Sequence, residues 1–215
     1  ELAASAVTRL LTRQQLSADD IAAIGSHGQT IEHRPYGFSD RPCHTPYTLQ
    51  LDNPSLLAEL CGIPVVADFR RRDLAAGGQA APLAPAFHAA LFSQPDQWHG
   101  LLNLGGIANL TLLPPQDSTA DVIGFDTGPA NCLLDAWHAR HRGTAVDQDG
   151  QWAASGKVIP DLLERLLSAD YFRRPLPKST GREDFHLDWL AQHLTGDESP
   201  ADVQATLPSL TVESI

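Results

Sequence analysis

The chain is short of the features that mark a disulfide scaffold, a membrane span or a nucleic-acid binder. Its 215 residues include three cysteines, Cys43, Cys61 and Cys132. They are widely spaced, odd in number and form no C-x-x-C pair, so neither a disulfide framework nor a zinc ribbon is indicated and reduced thiols are expected. The longest apolar runs, such as residues 63–67 with their proline, fall far short of the roughly 20 residues that cross a bilayer. Cations are scarce, with 15 Lys and Arg against 26 Asp and Glu and a formal net charge of -11. Binding to a phosphate backbone draws on clustered cations, and the only basic run is Arg70-Arg71-Arg72, so nucleic acid is excluded as the main partner. A small anionic ligand stays admissible, because a few arginines reverse the potential inside one cleft. No G-x-x-x-x-G-K-[ST], G-x-G-x-x-G, H-R-D or H-E-x-x-H motif occurs, which disfavours Walker ATPases, Rossmann enzymes, protein kinases and zincins. The nine histidines lack ligand-like spacing, so no protein-bound metal is expected. Asn109-Leu110-Thr111 fits a glycosylation sequon and is read as strand sequence.

The 42% hydrophobic content is enough for one large or two small globular domains. Leu2, Ala6, Leu10 and Leu11 predict an N-terminal helix with an apolar face, ended by residues 17–20. Residues 21–26 read as a buried strand delivering a polar loop, and residues 47–51 as another strand. Asn53-Pro54 starts a helix closed by Gly62. Residues 63–67 are β-rich and 85–92 helical, giving a β-α-β order of elements. From His99 onward, runs 101–104 and 107–113 are joined by Gly105-Gly106, a hairpin signal in which the turn is expected to need positive φ. A third strand is expected over 122–125, then helices over 131–141, 160–167, 185–193 and 201–214. A domain junction is placed near Ser93 to Trp98. Both ends of the sequence read as helix, and the chain is expected to be an excerpt of a longer protein.

Four segments have residue types suited to chemistry. In Leu101 to Asn109, two glycines between strands let backbone N–H groups approach a phosphate; from the glycines alone, an ordinary turn is the simpler reading. In Gly124-Phe-Asp-Thr-Gly-Pro-Ala-Asn131 a strand ends at Asp126 before a helix. That carboxylate suits a general base and the helix N-terminus suits an anion, although Asp126 or Thr127 as a plain helix cap reads equally well. In Asp68 to Gln79, three arginines follow a strand. Their guanidinium forks suit carboxylate or phosphate, and a surface ion-pair cluster is the alternative. In Gly25-Ser-His-Gly-Gln-Thr30, His27 and Gln29 offer donors and acceptors to sugar hydroxyls, or are solvated loop residues.

Taken in order, Gly25-Ser-His-Gly-Gln-Thr30, Asp68-Phe-Arg-Arg-Arg-Asp73 with Gly77-Gly78-Gln79 and Ala81-Pro-Leu-Ala-Pro85, Leu102-Asn-Leu-Gly-Gly-Ile-Ala-Asn109, and Gly124-Phe-Asp-Thr-Gly-Pro-Ala-Asn131 resemble the anhydro-N-acetylmuramic acid kinases. Asp149-Gly150, Gly156-Lys157 and Lys178-Ser-Thr-Gly-Arg-Glu183 extend the resemblance over nearly the whole chain. It implies an α/β fold of two ribonuclease-H-like, actin-like ATPase lobes with mixed sheets flanked by helices, residues 1–95 belonging to one lobe and 96–215 to the other. It implies a cytoplasmic, homodimeric enzyme of cell-wall recycling that uses ATP and Mg²⁺ to open 1,6-anhydro-N-acetylmuramic acid and phosphorylate its 6-oxygen. Asp126 then matches the catalytic base. Asn103, Gly105, Gly106, Asn109 and Gly128 are the implied phosphate-binding residues, and His27, Gln29, Arg70 and Arg71 are the candidate sugar contacts. The family's N-terminal Gly-Thr-Ser-x-Asp-Gly loop and C-terminal Gly-rich adenosine segment are not found in these residues. A non-catalytic sugar-binding fragment or degenerate homologue, and an anhydrosugar hydrolase that uses no ATP, are the competing readings.

Overall fold

A computed structural model describes residues 1–37 and 45–215; Cys43 lies outside the described residues. The chain divides into two compact units, residues 1–80 and 81–215.

The first unit begins with helix α1, Leu2–Gln14, followed by strands β1, Ile24–Ser26, β2, Gln29–Arg34, and β3, Tyr47–Leu51. Helix α2, Pro54–Cys61, leads to strand β4, Val65–Ala67, and helix α3, Phe69–Ala75. β1 and β4 pair in parallel, while β2 and β3 form an antiparallel ribbon. α2 starts and stops as its sequence dictates: the Asn53 side chain accepts from the Leu56 N–H at 2.9 Å, Pro54 takes the first turn, and Gly62 closes the helix in the left-handed region. The expected apolar face of α1 is not buried. Leu2 is 91% and Leu10 60% exposed, and only Ala4 of this helix is buried.

Because its apolar core is small, the unit is also organised around polar side chains. The Arg70 guanidinium is buried at 9% exposure. It donates through Nη1 to Thr30 Oγ1 at 3.0 Å and through Nη2 to His33 Nδ1 at 3.0 Å. Gln50 Nε2 donates to Thr48 Oγ1 and Thr30 Oγ1 at 2.7 and 3.3 Å. Burial first, and the Arg70 charge second, push the pKa of His33 down to about 4.

The second unit opens with helix α4, Pro85–Phe92. The antiparallel sheet β5–β6–β7 follows, from His99–Leu104, Ile107–Leu113 and Ile123–Pro129. Helices α5, Asn131–Arg142, α6, Gln151–Ser155, α7, Pro160–Leu167, α8, Leu187–Ala191, and α9, Pro200–Glu213, complete it. Its core gathers Leu133 and Trp137 of α5, Leu162 and Leu166 of α7, Leu190 of α8, and Val203, Leu207 and Leu210 of α9, with Tyr171 and Phe185. The i,i+4 spacing of Leu162 and Leu166 places both on one face, and neither is exposed. Trp137 Nε1 donates to Pro200 O at 2.9 Å, tying α5 to the start of α9.

The division at residues 80 and 81 precedes the junction expected at 93–98. α4 belongs with the sheet: its His88 Nδ1 lies 2.9 Å from Thr111 Oγ1 of β6, and Pro85 packs against Gly124 of β7. No helix among the described residues is long and apolar enough to cross a membrane.

Leu166→Ala is expected to lower stability by about 2–5 kcal/mol in urea unfolding, through lost burial and the cavity left behind. Leu10→Ala on exposed α1 is expected to change it by less than about 0.5 kcal/mol. His33 makes stability depend on pH. The unfolded side chain protonates near 6.5 and the folded one near 4, so between those values the unfolded state binds more protons and acid favours unfolding. Comparing wild type with His33→Gln across that window should show wild type losing up to about 3 kcal/mol more as pH falls. Parallel curves would remove His33 from the acid response.

Candidate functional site

In the first unit, β1 ends in the turn that carries His27 and Gly28. Gly28 has φ +70° and is so close to β3 that an added Cβ would lie 2.8 Å from Asp52 Cβ and 2.9 Å from Leu51 O, so a side chain is excluded here by both conformation and space. His27 Nδ1 donates to Gly28 O at 2.7 Å. Its Nε2 faces Arg70 Nη1 at 3.4 Å.

Beside this contact is a pocket of about 120 Å³, whose polar wall includes His27, Gln50, Asp52, Asp68, Arg70 and Arg71. Its size and polar wall suit a small polar group such as a carboxylate or one edge of a sugar ring. Arg70 is held from inside by Thr30, His33 and His27. Arg71 is solvent-exposed and ion-paired with Asp68, which raises the Arg71 pKa through their hydrogen bond and charge. Asp68 starts α3 in the left-handed region, φ 61°. The structure therefore brings three of the four expected sugar residues to one pocket. Gln29 is not on its wall; it is exposed at the start of β2 and donates to Thr30 O at 3.3 Å.

In the second unit the register aligns three expected residues across the sheet: Asn103 of β5 is opposite Asn109 of β6, and Asn109 is opposite Asp126 of β7. Exposure falls along the row, from exposed Asn103 through half-buried Asn109 to Asp126 at 5%. Asp126 is not at a strand end, because β7 continues to Pro129 with a register irregularity beside Asn109. Nor is Asp126 the cap of α5, whose N-cap is Ala130 without a side-chain cap hydrogen bond. Its Oδ2 accepts from Ser179 Oγ at 3.2 Å and from the Thr180 N–H at 3.0 Å. Its N–H donates to Lys178 O at 2.9 Å, and its carbonyl accepts from Tyr171 Oη at 2.7 Å. Lys178 itself is buried, with Nζ donating to the carbonyls of Tyr171 and Phe172 at 3.3 Å. Burial, then the charge of Arg174, lowers its pKa.

The hairpin forms where expected, but neither Gly105 nor Gly106 has positive φ. The turn points its carbonyls at α5 instead. Gly105 O accepts from the Asn131 N–H, and Gly106 O accepts from those of Ala130 and Cys132, all at 3.0 Å. The first N–H groups of α5 are thus bonded within the protein, not aimed at an anion as the sequence suggested. Gly128 is buried in β7, where an added Cβ would meet Phe172 at 2.8 Å and Ser214 at 3.2 Å.

Sequence reasoning missed Ser179, Thr180 and Tyr171 as partners of Asp126, and Thr30, His33 and Thr48 as support for Arg70. The Lys178 to Glu183 segment was visible as a motif, but its pairing with a strand more than fifty residues away was not. Among the described residues no group of three or more His, Cys, Asp or Glu side chains could hold a metal ion.

The model of the anhydro-N-acetylmuramic acid kinase family matches residues 1–215. The chain is 64% identical over 215 residues to the anhydro-N-acetylmuramic acid kinase of Chromohalobacter salexigens, covering 100% of this chain and 56% of that protein. It is 53% identical over 212 residues to the enzyme of that name from Nitrosospira multiformis, covering 99% and 56%. It is also 53% identical over 213 residues to that of Xylella fastidiosa, covering 99% and 54%. The chain spans about half the length of these curated relatives. With the family model matched end to end, this chain belongs to the anhydro-N-acetylmuramic acid kinase family.

Proposed function

We propose that this chain supplies the sugar pocket and catalytic carboxylate of an ATP-dependent kinase that opens 1,6-anhydro-N-acetylmuramic acid and phosphorylates its 6-oxygen, in cell-wall recycling. The observation that carries the reading is the buried Asp126 carboxylate, oriented through one oxygen by Ser179 and Thr180 and placed opposite Asn109. As general base Asp126 takes a proton from water. The water oxygen bonds to C1 as the C1–O6 bond breaks, and its electron pair goes to O6. O6 then bonds to the γ-phosphorus of ATP as the bond to ADP breaks. N-acetylmuramic acid 6-phosphate, ADP and one proton result.

The remaining chain residues bind and orient. Arg71, exposed at the pocket, takes the lactyl carboxylate, while Arg70 fixes His27 as a hydrogen-bonding group for the sugar. Asn103, Gly105, Gly106, Asn109 and Gly128 are proposed to form the phosphate-binding wall. Mg²⁺ would arrive on the triphosphate, where it neutralises charge. We also place the two units in the two lobes of a ribonuclease-H-like, actin-like ATPase fold, and the enzyme in the cytoplasm as a homodimer, on family resemblance.

ADP release with 1,6-anhydro-N-acetylmuramic acid, ATP and Mg²⁺ is expected once the chain is extended at both ends to its relatives' length; none in either form removes the kinase reading. In the active form, Asp126→Asn should lower kcat on the order of 10²–10⁴-fold while sugar binding, followed by calorimetry, persists. Wild-type turnover in that variant would take Asp126 out of the chemistry. Arg71→Ala should raise KM for the anhydrosugar about tenfold, the worth of one charge-assisted contact, and leave an analogue without the lactyl carboxylate unaffected. An equal rise for both substrates would assign the carboxylate elsewhere.

A further inference from the structure

Gly106, whose φ is not positive, faces the side chain of Arg182. A Cβ built there would lie 3.3 Å from Nη2, 3.5 Å from Nε and 3.8 Å from Cζ of Arg182, so the Nε–Nη2 edge of the guanidinium faces the turn. Arg182 is exposed, and among the described residues it makes neither a hydrogen bond nor an ion pair. Other charged groups of its loop are committed. Asp184 accepts from Thr180 Oγ1 at 2.7 Å, the Glu183 carboxylate lies against Gly181, and Lys178 is bonded to two carbonyls. The N–H groups that begin α5 are taken by the turn's own carbonyls, so the helix start does not supply the attraction for an anion here.

From this arrangement we infer that Arg182 is a phosphoryl-binding residue, its guanidinium placed beside the Gly105–Gly106 turn to take two oxygens of a nucleotide's terminal phosphates. The planar fork matches phosphate geometry, and a fixed cation beside a transferring phosphoryl group stabilises the charge that spreads over its oxygens. The location links two tasks. Thr180, two residues before Arg182, holds the Asp126 carboxylate through its N–H, so one short loop positions both the base and the phosphate ligand. The identity of the anion rests on the kinase reading; the presence of an anion site does not.

The test uses the chain extended to its relatives' length, with calorimetric titration of inorganic pyrophosphate and of adenosine beside the ADP-release assay. Arg182→Ala is expected to weaken pyrophosphate at least tenfold and lower kcat/KM for ATP about a hundredfold, with adenosine binding and melting temperature unchanged. Arg182→Lys should recover part of the loss, and Gly106→Ala, which displaces the guanidinium, should reproduce it with Arg182 present. Should Arg182→Ala melt early, Arg182→Gln keeps the stem and polarity and takes its place. Pyrophosphate affinity and turnover within twofold of wild type would overturn the inference and leave the kinase standing. Pyrophosphate binding that depends on Arg182 in a protein releasing no ADP would support the site and sink the kinase reading. Failure of the wild type to bind pyrophosphate would overturn the inference.

Discussion

The Asp126 carboxylate can occupy the buried end of the sheet only because the 178–180 segment returns to meet it. A carboxylate removed from water without donors is costly by several kcal/mol, and Ser179 and Thr180 provide two of them at Oδ2. The support is layered. Thr180 is pinned by Asp184, Asp126 N–H by Lys178 O, and Tyr171 connects the Asp126 carbonyl to the aromatic group it forms with Phe172 and Phe185. The carboxylate is thereby joined to the core that α5, α7, α8 and α9 build. The carboxylate's orientation is as definite as that of the groups holding it.

The first unit solves the same problem with the opposite sign. Arg70 is buried, and among its partners are the Thr30 hydroxyl and two imidazoles. An imidazole accepts from a guanidinium only while neutral, and burial together with the arginine's charge suppresses protonation of His33. The two neighbouring arginines therefore divide their work by burial: Arg70 organises the pocket wall, and Arg71 is left exposed beside it.

Much of the local structure was legible because it rests on local rules. Asn53, Pro54 and Gly62 bracket α2, residues 85–92 and 160–167 form helices at the expected bounds, and the paired apolar runs around Gly105-Gly106 form a hairpin. What the sequence hid depends on contacts distant along the chain. β2 was read as loop because its half-exposed alternation is too polar to stand out, and α3 was given no secondary structure because an arginine run looks like a surface cluster until Arg70 turns inward. The apolar spacing of α1 signalled a buried face that the unit does not cover. His27, Arg70 and Arg71 could be named from chemistry, whereas Gln29 could not be separated from them, since its outward direction follows from strand parity. Asp126 was recognisable as a motif residue, but the donors that hold it belong to a segment with no pattern pointing back to β7.

The carbonyls of Gly105 and Gly106 bind the amides that open α5, and this makes the hairpin tip and the helix a single mechanical piece. Lifting the tip breaks three hydrogen bonds, each worth about 0.5–1.5 kcal/mol net, and drags on α5, which Trp137 anchors to α9. Fast flapping at the tip is therefore suppressed. The tip and the helix therefore shift together or not at all.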